Sequence, residues 1–136
     1  MAGMKRLWLL LALPLVVSLA PRSLLPHDEG FYALQARWIV ESGDWLTPQS
    51  WGAPLYDRTI GVQWLIAASV RLFGLNPVGI PLPIWLCAVA AAALTWRLSR
   101  SRVATALLVL TPLWFSYSQM ATQDMPLLAL ELLGLW

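Results

Sequence analysis

Three acidic residues stand next to apolar runs, where a carboxylate could do chemistry. Asp28 and Glu29 are adjacent and follow the first apolar run, and Tyr32 comes one helical turn after Asp28 on the same face. Asp124 lies far later in the sequence, just before Pro126. Helix capping would explain an acid at either place, because a carboxylate at a helix N-terminus accepts backbone N–H groups. Capping needs only one acid of the adjacent pair, so a functional role stays open.

A second pair of charged residues, Asp57 and Arg58, opens another apolar run. An acid and a base in a loop usually form a solvated pair that contributes little to stability. In a pocket that faces the membrane, Arg58 could instead hold a phosphate group by bidentate hydrogen bonds. Both interpretations are open at the level of the sequence.

The composition places these residues in a membrane protein. Of the 136 residues, 59% are hydrophobic and only 12% are charged, whereas an ordinary globular chain has about 25% charged residues. There is too little charge to cover a solvated surface, so the surface must face lipid. The net charge of +2 is too small to indicate nucleic-acid binding. The single cysteine excludes a disulfide framework and a cysteine metal cluster.

Stretches without charge predict the transmembrane helices, because a helix needs about 20 apolar residues to cross a bilayer. We predict an all-α polytopic membrane protein with spans at about 7–25, 78–97 and 103–120 and the start of another at 126. The first stretch also has the features of a cleavable signal peptide. An uncleaved anchor is favoured, since Pro21 would directly follow the cleavage site.

The distribution of positive charge predicts which way the spans run. The apolar stretch 59–73 is too short to cross the bilayer comfortably. If it does not cross, both clusters of basic residues lie on the cytoplasmic side, as such clusters prefer. Those clusters are Lys5 with Arg6, and Arg97 with Arg100 and Arg102. A long non-cytoplasmic loop then covers 26–77, with juxtamembrane helices at 30–42 and 61–73, and all three acids fall on that outer face.

Four sequence segments, in this order, resemble the N-terminal part of the GT-C superfamily of glycosyltransferases that use lipid-linked sugars. The closest resemblance is to the protein O-mannosyltransferases and the lipid A aminoarabinose transferases (glycosyltransferase family 39-like). Their patterns D-E-x-x-Y-A-x-x-A-R, S-G-D-W-x-x-P, P-Y-F-E-K-P-P-x-x-Y-W-L and A-T-x-D-x-P correspond to residues 28–37, 42–48, 54–65 and 121–126. The third match is partial, because Asp57-Arg58-Thr59 stands where the family has Glu-Lys-Pro.

The resemblance implies transfer of a sugar from a polyprenyl phosphate to a lipid, glycan or protein acceptor on the non-cytoplasmic face of the inner (plasma) membrane. It assigns catalytic positions to Asp28, Glu29 and Asp124, with Asp28 as the general base. It makes Tyr32 and Arg58 substrate-binding residues.

The same resemblance makes Asp57 a candidate ligand for a divalent metal ion, which would be the cofactor. The matching segments correspond to the first third or less of such an enzyme, so we expect a piece of a longer chain that is inactive by itself.

Two other classes of protein remain as alternatives. A small non-enzymatic helical membrane protein would use these acids only to cap helices. A transporter subunit would use them along an ion pathway, but such acids should lie near the bilayer midplane, and these are predicted at one interface.

Overall fold

The computed structural model describes residues 28–56 and 58–136. The predicted span 7–25 and the candidate metal ligand Asp57 lie outside the described residues. The described part is helical, with one short antiparallel hairpin. Its elements are α1 (Glu29–Ser42), β1 (Gln49–Ser50), β2 (Ala53–Pro54), α2 (Gly61–Phe73), α3 (Leu82–Ser99), α4 (Arg102–Leu110), α5 (Pro112–Gln119) and α6 (Asp124–Leu135).

The helices α1 and α2 occupy the ranges expected for the two juxtamembrane helices, 30–42 and 61–73. Each ends at a glycine: Gly43 has φ 73° and donates its N–H to the carbonyl of Ile39, while Gly74 donates to Val70. Glycine commonly ends a helix, because it has no Cβ that would clash in the left-handed conformation that Gly43 adopts.

The segment after α1 is held by its own side chains. The Asp44 carboxylate accepts the backbone N–H groups of Leu46 and Thr47, each at 3.0 Å. These bonds to the charged form lower the pKa of Asp44 below its ordinary value. The hydroxyl of Ser42 accepts the N–H of Asp44. The S-G-D-W segment therefore forms a turn that leads into the hairpin. The hairpin was not predicted from the sequence.

A buried pair of amides joins α1 to α2. The side chains of Gln35 and Gln63 are fully buried and hydrogen-bonded to each other at 2.8 Å. With the amide oxygen and nitrogen of both side chains exchanged, Gln63 donates to the backbone carbonyls of Thr59 and Ile60, and Gln35 donates to Gln63. Around this pair, apolar side chains of both helices form the core: Tyr32, Ala36, Ile39, Val62, Ile66 and Val70.

One helix in the described part of the chain, α3, is long and apolar enough to cross a membrane. At 1.5 Å per residue its 18 residues extend about 27 Å, close to the thickness of the hydrocarbon core. The predicted span 78–97 began too early, because Pro81 and Pro83 fix the first turn of the helix at Leu82.

The stretch expected as one span at 103–120 is instead two helices, α4 and α5. Pro112 disfavours the helical conformation for the residue before it, and Thr111 accordingly has an extended backbone with ψ 125°. The helix expected from 126 begins two residues earlier, at Asp124, and contains Pro126 in its first turn, where a missing N–H costs nothing. The helix α3 packs against α4, α5 and α6.

Candidate functional site

The two acidic segments that the sequence separates meet in the structure. The carboxylate of Glu29, which is fully buried, accepts the backbone N–H of Ala121 at 3.1 Å. Ala121 is itself fully buried and begins the loop 121–123, which leads into α6. The first turn of α1 is thus joined to the loop that carries the A-T-x-D-x-P segment.

A second contact between the same two segments includes the candidate phosphate ligand. The hydroxyl of Tyr32 donates to Oε1 of Gln123 at 3.1 Å and accepts an N–H from Nη1 of Arg58, also at 3.1 Å. The Arg58 guanidinium lies 5.2 Å from the ring centre of Phe31 and 5.3 Å from that of Tyr32. Cation–π attraction acts at such distances. Three separate segments of the sequence are therefore linked at the Tyr32 hydroxyl.

The adjacent acids Asp28 and Glu29 have different environments. Asp28 is the N-cap residue of α1, but its side chain makes no capping hydrogen bond and is exposed. Capping through the side chain therefore does not explain Asp28. Glu29, by contrast, is an acceptor inside the protein. An exposed carboxylate can reach a substrate, whereas a buried one that holds a backbone N–H is suited to fixing the loop.

Asp124 lies at the first position of α6, where its negative charge interacts favourably with the helix dipole. Its Oδ2 accepts the hydroxyl of Thr122 at 2.7 Å. Asp124 borders a cavity of about 340 Å³ between α4, α5 and α6. Trp114 borders the same cavity, and its indole N–H is buried with no partner among the described residues. Asp124 and the Arg58 network therefore lie at different cavities on either side of the α6 N-terminus.

A larger apolar groove, of about 1040 Å³, runs between α2, α3 and α6. It begins at Thr59 and Gln123, which adjoin the Arg58 network, and it reaches Arg97 near the end of α3. Five residues of α3, from Cys87 to Arg97, and five of α6, from Pro126 to Leu133, border the groove, so it extends about 15 Å along α3 and about 10 Å along α6. Small and aliphatic side chains form most of its wall: Gly61, Val62, Leu65, Ala90, Ala93, Leu94, Pro126, Leu127, Ala129, Leu130 and Leu133.

Sequence reasoning missed Phe31 and Gln123. Both neighbour a motif residue, and neither has a chemically reactive side chain, so their contribution becomes visible only when the three segments meet. As for metal binding, residues 28–56 and 58–136 contain no group of three or more histidine, cysteine or acidic side chains that could hold a metal ion. The metal role predicted for Asp57 stays a prediction.

Comparison with known proteins identifies the family. A sequence model described as dolichyl-phosphate-mannose-protein mannosyltransferase matches residues 57–136, which is more than half of the sequence. The chain belongs to this family. The predicted resemblance to GT-C glycosyltransferases is thereby confirmed.

Curated relatives carry the name undecaprenyl phosphate-alpha-4-amino-4-deoxy-L-arabinose arabinosyl transferase. The protein from Pseudomonas aeruginosa (strain LESB58) is 29% identical over 104 residues, or 68% of this chain and 18% of the relative. The protein from Edwardsiella ictaluri is 30% identical over 99 residues, or 73% of this chain and 18% of the relative. The chain thus spans about a fifth of the length of these relatives.

Two solved structures share the fold. The crystal structure of ArnT from Cupriavidus metallidurans bound to undecaprenyl phosphate matches with a TM-score of 0.86 and 24% identity, over 96% of this chain and 26% of that one. The same enzyme in the apo state matches with a TM-score of 0.78 and 27% identity, over 93% of this chain and 26% of that one. The described residues therefore share the fold of part of that protein.

Proposed function

We propose that this chain is the N-terminal part of an integral membrane glycosyltransferase that transfers a sugar from a polyprenyl-phosphate donor to a lipid, glycan or protein acceptor on the non-cytoplasmic face. The observation that carries the proposal is the position of Arg58 next to the apolar groove: it directly precedes Thr59 and is joined through the Tyr32 hydroxyl to Gln123, and both of these residues line the groove. A cation next to an apolar groove matches an amphiphile with a phosphate head and a hydrocarbon tail. The relatives named for an undecaprenyl-phosphate sugar support this choice.

The proposed mechanism divides the work among three features of the chain. Arg58 binds the phosphate of the donor and stabilises the negative charge that develops on it as the bond from sugar to phosphate breaks. The groove between α2, α3 and α6 takes the part of the polyprenyl chain nearest the phosphate. Asp28 accepts the proton of the acceptor hydroxyl as that oxygen attacks the sugar.

Glu29 and Asp124 take different roles from Asp28 in this proposal. Glu29 positions the loop 121–123 through Ala121 and does not contact the substrate. Asp124 binds the sugar or the acceptor from the smaller cavity that it shares with Trp114. The outer location of the site is also part of the proposal, and it rests on the distribution of basic residues.

The experiment that tests this function replaces Asp28 by Asn in the complete protein. Because the Asp28 side chain makes no capping bond, the variant should insert at the normal level. An amide cannot accept a proton as a base does, and general-base catalysis contributes about 10²–10⁴-fold. We therefore expect transfer from a polyprenyl-phosphate sugar in liposomes to fall at least about a hundredfold.

The matched control for that experiment is Glu41→Gln, which removes one exposed carboxylate near the other end of α1. Glu41 is paired with Arg37, four residues before it on the exposed face of α1, and this loss should leave transfer unchanged. Near-normal transfer by the Asp28→Asn protein would contradict the catalytic role of Asp28.

A further inference from the structure

Tyr32 is a predicted substrate-binding residue that the structure buries. Only 1% of its surface is exposed, and its ring belongs to the core between α1 and α2. A side chain so enclosed has no surface to offer to a sugar or a lipid. Its hydroxyl, however, is at hydrogen-bond distance from Arg58 and Gln123.

We propose that Tyr32 is a positioning residue, whose hydroxyl fixes the orientation of the Arg58 guanidinium next to the groove. The inference rests on the proposed function, because it assigns to Arg58 the phosphate of the donor. It changes the role of Tyr32 from contact with the substrate to control of the residue that makes that contact.

The hydroxyl supplies what the neighbouring rings do not. Arg58 is exposed and lies outside the helices, and a long side chain loses conformational entropy when it is held in one orientation. The rings of Phe31 and Tyr32 attract the guanidinium to their faces, and this attraction does not by itself set the rotation of the guanidinium in its own plane. A hydrogen bond from Nη1 to a fixed oxygen sets that rotation, and bidentate binding of a phosphate depends on it.

The position of the oxygen is itself fixed from two sides. The Tyr32 ring is held in the core, and its hydroxyl hydrogen is directed to Gln123. With its hydrogen donated there, the oxygen presents a lone pair to Arg58, so a single hydroxyl acts as donor and acceptor. Gln123 also borders the groove. The orientation of Arg58 is thereby tied to the wall of the groove that we assign to the polyprenyl chain.

The test compares Tyr32→Phe with the wild type in the complete protein, using undecaprenyl phosphate in detergent micelles as the binding probe. The substitution removes one oxygen and keeps the ring. A hydrogen bond to a charged group is worth about tenfold or more in an equilibrium constant. We therefore expect undecaprenyl phosphate to bind about tenfold more weakly, and KM for the donor to rise while kcat changes little. Each value is taken per membrane-inserted molecule, so a lower yield does not alter it.

Two further variants separate positioning from a general structural role. Thr105→Val removes a buried hydroxyl of α4 that donates to the backbone carbonyl of Ser101 and borders neither cavity, and this variant should bind the probe as the wild type does. In an Arg58→Ala background, Tyr32→Phe should cause no additional loss, because the hydroxyl acts through Arg58.

Three results would overturn the inference. Equal binding of the probe by wild type and Tyr32→Phe removes the positioning role and leaves the proposed function intact. A tenfold loss that persists in the Arg58→Ala background shows that Tyr32 acts through the fold. Absence of binding by the wild-type protein contradicts the proposed function itself, and with it the role of Arg58.

Discussion

Substitution of the two adjacent acids at the start of α1 should affect different properties: stability for Glu29 and sugar transfer for Asp28. The substitution of Glu29 tests the structural argument. Its carboxylate is fully buried and accepts the N–H of Ala121, which is also fully buried. Glu29→Ala removes that acceptor and leaves a buried N–H group without a partner. Glu29→Gln keeps an oxygen at the same place and removes only the charge. Asp28→Ala, on an exposed side chain with no capping bond, serves as the comparison.

The expected free energies follow from these contacts. An unsatisfied buried N–H costs about 1–3 kcal/mol, and loss of the buried side chain adds a cavity term, so we expect Glu29→Ala to lower the free energy of unfolding by about 3 kcal/mol. A hydrogen bond to a charged group exceeds a neutral one by about 1 kcal/mol, which is the expected cost of Glu29→Gln. Asp28→Ala should change the free energy by less than about 0.5 kcal/mol.

The assay is reversible unfolding of the complete protein in mixed micelles, run beside sugar transfer in liposomes. If Glu29 only positions the loop, Glu29→Gln should retain transfer within about tenfold, whereas Asp28→Asn loses at least about a hundredfold. Equal stability of Glu29→Ala and wild type would refute the structural argument. A Glu29→Gln protein of normal stability that loses as much transfer as Asp28→Asn would instead make Glu29 a catalytic residue.

Two other predictions concern the groove and the topology. Ala93→Phe should fill part of the groove and weaken binding of undecaprenyl phosphate about tenfold or more. Ala68→Phe, on the exposed side of α2, should leave binding unchanged. Equal binding by the two variants would contradict the assignment of the groove to the polyprenyl chain. In a Cys87→Ala background, an impermeant maleimide added to intact cells should label Leu46→Cys and Leu75→Cys but not Arg100→Cys. The reverse labelling pattern would contradict the predicted topology. Leu46 and Leu75 are exposed neighbours of Asp44 and Asn76, whose side chains hold turns and should be left in place.

The sequence by itself was sufficient for the helices whose ends carry a local signal. The predicted helices 30–42 and 61–73 end where α1 and α2 end, each directly before a glycine, and Gly43 adopts the left-handed backbone that glycine takes without a steric penalty. The charge-free stretch from which the span 78–97 was predicted likewise indicates a long apolar helix without reference to any neighbour, although the observed helix starts four residues later. Motifs with several dissimilar residues at fixed spacing were enough to indicate the family.

A local signal was misread where a charge-free stretch contained a proline. The stretch 103–120 has the length of one span, and the pattern of hydrophobic residues alone does not show a break. Pro112 divides it into α4 and α5, because the conformation of Thr111 is restricted by the residue that follows it. The hairpin at 49–54 was missed since its strands have only two residues each, too few for an alternating pattern.

Only the tertiary structure distinguished the surroundings of neighbouring polar residues. Asp28 and Glu29 have nearly the same chemistry and adjacent positions, yet one is exposed and the other is an internal acceptor, because successive residues of a helix point about 100° apart and only one of these two faces Ala121. The position of the Tyr32 hydroxyl between Arg58 and Gln123 is likewise visible only in the structure, and the substrate-binding role expected from the sequence stays a prediction. The burial of a side chain and its hydrogen-bond partners depend on residues that are distant in the sequence. The spacing of motifs does not show which of these residues come into contact.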